Sequence, residues 1–228
     1  MRLTKTLLST IFFAGVLTTP AAFADPATIQ YAITVNTSSA LLSNGYIDFQ
    51  FNPSSFTTQP ANADVANFVT DGVLNPADPG NGTVGAVSGM LPGTVTLMNS
   101  QPSPNEYTEA MTFGTTITFD LDLYGPALSN PNGEGGGTFI LDFLNADQSG
   151  YLFTADSQND VPVFTVTING DGTTTASTYP SENNGPPVVT FVGPTPVPEP
   201  ASVLMFLSGG LLALAVLGRR RWLANAKV

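Results

Sequence analysis

The chain has 228 residues, 17 acidic and six basic, with no histidine and no cysteine. The bases (Arg2, Lys5, Arg219, Arg220, Arg221 and Lys227) lie near the two ends, whereas Glu199 alone among the acids lies beyond residue 196, so the stretch 25–196 carries a formal charge of −16 with no positive side chain. This excludes nucleic-acid binding and phosphoryl transfer, which set Lys or Arg against phosphate, and also thiol catalysis, a Ser-His-Asp triad, disulfides and His/Cys zinc sites.

The first segment is a targeting signal by its pattern. Arg2 and Lys5 form a positive start, Leu7–Leu17 an apolar run, and Ala22-Phe23-Ala24 a small-residue cleavage site. Residues 1–24 are thus expected to be a signal peptide handled by the Sec translocon, with cleavage after Ala24 and a mature chain starting at Asp25. The remaining stretch, 25–192, is long enough for one domain with a substantial core, and no composition shift divides it.

Within that domain the apolar residues recur with period two. Thr28–Asn36 alternates through Ile29, Tyr31, Ile33 and Val35, and after Asn44-Gly45 the run GYIDFQFNP sets Ile47, Phe49 and Phe51 against Asp48 and Gln50. These two strands are expected to lie side by side, as a hairpin or as neighbours. Ala63–Val69 fits a short helix or a strand. Residues 71–90 read as loop. Gly93–Asn99 and Glu106–Phe113 are strand-like, and Thr115–Tyr124 is the clearest strand, with Ile117, Phe119, Leu121 and Leu123 inward and Asp120 and Asp122 outward. Asn130–Gly137 reads as a loop, Thr138–Leu144 as a strand, and 150–154 as its antiparallel return. Val161–Ile168 is followed by Asn169-Gly170-Asp171-Gly172, a hairpin turn, and Val188–Val192 is the last strand. No amphipathic helix of useful length appears. The fold class expected is all-β, a single β-sandwich of jelly-roll or immunoglobulin-like type.

The C-terminal end has a different character. Residues 193–200 form a proline-rich linker ending in Val197-Pro198-Glu199-Pro200. Ala201–Gly218 follows without a charge, and Arg219, Arg220 and Arg221 open a basic tail, 219–228. Eighteen helical residues span about 27 Å, near the thickness of a hydrocarbon core. The arginines are expected to stay cytoplasmic as a stop-transfer cluster, which leaves the domain outside the membrane. The order of these parts resembles the PEP-CTERM sorting signal of Gram-negative bacteria. The resemblance covers about residues 196–222. It implies that an exosortase, a membrane-embedded cysteine protease-transpeptidase, recognises Pro198-Glu199-Pro200 and processes the tail. The alternative is an ordinary membrane anchor with a proline linker. The segments VNTSSALLSNGYIDFQFNP, VSGMLPGTVTLMNS and FGTTITFDLDLYGPAL also resemble one recurring group of PEP-CTERM ectodomains, which implies a single β domain and no particular ligand.

Two constellations inside the domain invite chemistry. Asp120 and Asp122 lie on one strand face about 6–7 Å apart, a spacing that suits a glycosidase pair, although solvated outer-face acids explain them more simply. Asn145, Asp147, Ser149 and Asp156 occupy positions 1, 3, 5 and 12 of a degenerate calcium loop, with Gly150 at 6. A polar turn between strands accounts for the same residues. The expectation is a non-catalytic exported protein, first anchored in the inner membrane and then delivered to the cell surface or extracellular matrix. The resemblance implies association with exopolysaccharide or biofilm. A calcium-dependent carbohydrate-binding or adhesive module is the alternative, with a carboxylate-only glycoside hydrolase behind it.

Overall fold

The structure is a computed structural model that describes residues 28–155 and 161–196. Among these the chain forms β1 (Ile29–Asn36), β2 (Asn44–Asn52), β3 (Asn62–Thr70), β4 (Val73–Leu74), β5 (Gly82–Val84), β6 (Val87–Gly89), β7 (Val95–Met98), β8 (Glu106–Thr112), β9 (Thr116–Tyr124), α1 (Pro126–Ser129), β10 (Gly137–Asn145), β11 (Phe164–Ile168), β12 (Thr174–Thr178) and β13 (Val189–Pro196). One sheet runs β13-β1-β9-β3-β7-β6. The other runs β12-β11-β10-β2-β8-β4, with β5 also on β8. The protein is all-β, with two antiparallel sheets packed face to face.

The pairing is nested. β1 pairs with β9, β2 with β8, and β3 with β7, so successive outer strands enclose the inner ones. The innermost stretch supplies β4 and β5 on β8 and β6 on β7. Outside this wrap, β10, β11 and β12 extend the second sheet from β2, and β13 returns to β1.

Alternation along the strands builds the core. β9 alternates half-buried and buried residues through its whole length. Its Ile117, Phe119, Leu121 and Leu123 meet Ile47, Phe49 and Phe51 of β2 and Phe139, Leu141 and Phe143 of β10 in one cluster. Phe49 is the hub of this contact. Its ring lies 5.4 Å from Phe119 across the sandwich, edge to face, and 6.1 Å from Phe139 within its own sheet. At the other end, Phe113, Phe143 and Phe153 form a triangle with centroids 5.2–5.8 Å apart. Such edge-on aromatic pairs add to the stabilisation that burial alone provides.

Several sequence expectations change. β1 and β2 are neither a hairpin nor neighbours; they belong to opposite sheets. The connecting segment crosses the sandwich because its N–H groups are taken elsewhere: Thr37 donates to Thr115 O at 2.9 Å and Leu42 to Phe113 O at 2.9 Å. Ala63–Val69 lies within strand β3. The stretch 71–90 holds three short strands. The expected return strand at 150–154 is reduced to one bridge between Leu144 and Tyr151.

β13 continues through Pro196, so residues 193–196, read above as linker, lie along β1. A bulge separates the pairs Gln30↔Thr195 and Ala32↔Val192. Gly193 permits it, with φ at 138°, and a Cβ there would meet Gln30 O at 2.7 Å. Two prolines on this edge limit pairing with other chains.

Truncating the hub is expected to be costly. Phe49→Ala should lower the stability of the full chain by about 3–5 kcal/mol in urea unfolding, while Phe56→Ala, at a side chain 93% exposed, should change it by less than about 0.5 kcal/mol.

Candidate functional site

With no Lys, Arg or His available, the acids are the chemical content of this domain, and three groups of them stand out. On the outer face of the β13–β6 sheet, β9 presents Asp120 and Asp122, and β3 sets Asp64 directly opposite Asp122. Neutral donors hold the group together. Gln30 Nε2 donates to Asp122 at 2.8 Å, Asn67 Nδ2 to Asp120 at 2.8 Å, and Tyr124 OH to Asp64 at 3.2 Å. Burial pushes Asp122 up, against the Gln30 hydrogen bond and with help from the Asp120 and Asp64 charges. Burial and the Asp64 charge push the Tyr124 phenol up to about 12.

On the outer face of the other sheet, Asp48 of β2 stands directly opposite Asp142 of β10. They are 2% and 1% exposed. Gln50 Nε2 donates to Asp48 at 2.8 Å, and the Thr108 hydroxyl donates to it at 3.3 Å. Burial pushes the Asp48 carboxyl up to about 8, opposed by the Gln50 hydrogen bond and reinforced by the charges of Glu106 and Asp142. Two carboxylates so placed cannot both ionise cheaply, so Asp48 keeps its proton near neutrality.

The third surface is the turn after β10. Asn145 Oδ1 accepts from the N–H groups of Ser149 (2.9 Å) and Gly150 (3.2 Å). Asp147 Oδ1 accepts from Ser149 N (3.1 Å) and Ser149 Oγ (2.6 Å). These hydrogen bonds hold Asp147 below the usual carboxylate range. Asn145, Asp147 and Ser149 are therefore brought together, with their oxygens engaged within their own turn. The fourth residue of the calcium-loop pattern, Asp156, lies outside the described residues. Among the described residues no group of three or more acidic side chains is arranged to hold a metal ion.

Beside this turn is a cleft of about 500 Å³, walled by Asn44, Tyr46, Asn75, Asp78, Thr112 and Ala146. Asp78 organises its floor, accepting from Tyr46 OH and Gly80 N, each at 2.8 Å. The cleft offers hydrogen-bonding groups.

The signal-peptide residues Ala22 and Ala24, the block Val197-Pro198-Glu199-Pro200, the apolar run 201–218 and Arg219, Arg220 and Arg221 all lie outside the described residues. No helix among the described residues is long and apolar enough to cross a membrane. Sequence reasoning missed the Asp48–Asp142 pair, because their opposition depends on register between strands far apart in the chain. Comparison with protein-family models, with curated proteins and with solved structures returned no match.

The Asp48 proton makes stability depend on pH. The folded state retains a proton that the unfolded chain loses near its ordinary pKa of 3.8. This contribution is complete below about pH 4 and is lost as pH rises toward about 8. Acidic side chains with lowered pKa, such as Asp147, act in the opposite sense only below about pH 4. The full chain should therefore melt at a higher temperature at pH 5 than at pH 8, the stability difference being on the order of 3–4 kcal/mol. Asp48→Asn should raise the melting temperature at pH 8 and flatten the slope. A melting temperature that increases from pH 5 to pH 8 would contradict the assignment.

Proposed function

We propose that this chain is an exported, non-catalytic envelope or extracellular-matrix protein. In this reading an exosortase processes its C-terminal Pro198-Glu199-Pro200 block. The observation that carries the reading is the ordered tail: Val197–Pro200, an uncharged run at 201–218, then Arg219–Arg221. The signal peptide 1–24 directs export through the Sec translocon. Residues 201–218 form a transmembrane helix, the arginines hold it with the tail in the cytoplasm, and processing releases the β domain from the inner membrane to the surface or matrix, in association with exopolysaccharide. The domain is read as a jelly roll. The nested pairing of β1 with β9, β2 with β8 and β3 with β7 supports that assignment over an immunoglobulin-like one.

The chain ends of the domain suit this role. Ile29 pairs with Pro196, so the segments leading to the signal peptide and to the tail depart from the same end of one sheet. Residues 197–200 reach at most about 13–14 Å when extended. Before processing, the domain then sits against the membrane with the sorting block confined between them, within reach of a membrane-embedded enzyme. The absence of Lys, Arg, His and Cys from 25–196 supports a non-catalytic domain.

Glu199→Ala is expected to trap the chain as an inner-membrane precursor, seen by fractionation and immunoblot as a longer species. Wild-type surface material should be shorter and should begin at Asp25 on N-terminal sequencing. Normal surface delivery of the Glu199→Ala chain would sink the processing step. Isolated matrix polysaccharide should retain the wild-type protein without added calcium; retention only with calcium would favour the calcium-dependent adhesive module.

A further inference from the structure

Glu109 breaks the pattern of its strand. Along β8, Tyr107, Glu109 and Met111 share one parity, and Tyr107 and Met111 belong to the core. Glu109 pairs with Ile47, itself fully buried, so it lies on the inner face of its sheet, 5% exposed. Its Oε2 accepts from Tyr107 OH at 2.9 Å, and that hydroxyl accepts from Leu91 N at 2.9 Å. Its Oε1 is buried with no hydrogen-bond partner among the described residues. A buried carboxylate oxygen in that state is costly and calls for a donor.

The residue is also part of a cavity wall. A space of about 270 Å³ lies between β5, the turn after β6 and β8, bounded by Asn81, Thr83, Met90, Leu91, Tyr107 and Glu109. It shares Leu91 and Pro76 with a neighbouring groove of about 540 Å³, whose walls include Phe68, Val69, Val73 and Leu74. Val69, Val73 and Met90 are exposed at the rim.

We infer that this cavity is a binding site for a primary alkylammonium group, with the ammonium paired to the Glu109 carboxylate, whose covered Oε1 turns into the cavity to meet it, and the alkyl chain in the adjoining apolar groove. The stretch 25–196 has no positive side chain to supply a charged donor, so a cation on this carboxylate comes from outside the domain. A neutral hydroxyl would leave the buried charge uncompensated, whereas an ammonium supplies a charge-assisted hydrogen bond. A guanidinium grips a carboxylate through both oxygens, but Tyr107 already holds Oε2. Calcium takes six to eight oxygens, and the cavity brings one carboxylate. An anion would meet Glu109 in a domain of net charge −16. The same chemistry is offered by a free short-chain amine and by the lysine side chain of another protein. Burial raises the Glu109 pKa, against the Tyr107 hydrogen bond, and a bound ammonium would reverse that shift. The inference is independent of the sorting tail.

Titration calorimetry on the full chain in a non-ionic detergent tests it, at matched ionic strength. Pentylamine and 1,5-diaminopentane should bind saturably with one site per chain, while pentanol and tetramethylammonium, which lacks an N–H, should not. Binding of a lysine amide acetylated on its α-nitrogen as tightly as diaminopentane would assign the source to a protein lysine; much weaker binding would assign it to a free amine. Glu109→Gln, nearly the same shape, should weaken binding at least tenfold, whereas Asp171→Asn, in the β11–β12 turn, should leave it unchanged. Met90→Lys offers a second route through an exposed position. It should supply the ammonium internally, raise the melting temperature and block added amine, and Glu109→Gln in the same chain should cancel that rise. The inference is overturned if no amine binds, if tetramethylammonium binds as well as pentylamine, or if binding survives Glu109→Gln.

Discussion

The structure depends first on the absence of positive charge. Between residues 25 and 196 no carboxylate can find a Lys or Arg partner within the domain, so each must be satisfied by a neutral donor or by a proton. The fold meets this in two ways. Exposed acids gather backbone N–H and hydroxyl donors, either across to a neighbouring loop or within their own turn. Asp71 accepts from Thr115 N at 2.8 Å and Thr116 N at 2.9 Å, and Asp171 accepts from Thr173 N at 3.0 Å and its hydroxyl at 2.6 Å. Their pKa values are lowered by these hydrogen bonds. Buried and half-buried acids go the other way: Asp48, Glu109 and Asp122 are all raised, with burial the largest cause in each. The Asn, Gln, Ser and Thr content thus does the work that basic side chains do elsewhere.

The nested wrap answers a second constraint. A chain of short alternating strands must hide one face of each, and two sheets with interdigitating inner faces do so with a single core. Strand-to-strand links then cross between sheets, as 37–43 does, and the N–H groups of the crossing chain bond to the ends of β8 and β9. Closing the wrap brings β13 back onto β1, which fixes where the two chain ends leave the domain. The geometry proposed for processing at the membrane rests on that closure together with the short span of residues 197–200.

The cavity at Glu109 lies where the wrap is least complete. The innermost strands β4, β5 and β6 have only two or three residues each. They cover the ends of β7 and β8 without sealing the space between the sheets. A polar side chain on the inner face is tolerated there because Tyr107 and Leu91 provide one anchored hydrogen-bond chain.

Local alternation, read from the sequence alone, determined the longer strands and which of their residues face inward. Ile117, Phe119, Leu121 and Leu123 of β9 are buried as that pattern requires, because a strand's period of two fixes its faces without reference to any neighbour. The parity of Glu109 with Tyr107, Met111 and Phe113 was legible in the same way. The proposal that residues 1–24 and 197–221 are targeting segments rests on sequence alone, since an apolar run, prolines and flanking charges are local features. The tertiary structure alone decided the rest. Alternation does not say which strands pair, so the opposite-sheet placement of β1 and β2 was hidden, as were β4, β5 and β6, too short to show a period. The burial of Asp48 against Asp142, the side-by-side placement of Ile29 and Pro196, and the cavity beside Glu109 depend on register between residues distant in the chain. That register is set by how the two inner faces pack, a property of the whole sandwich that no short stretch of sequence contains.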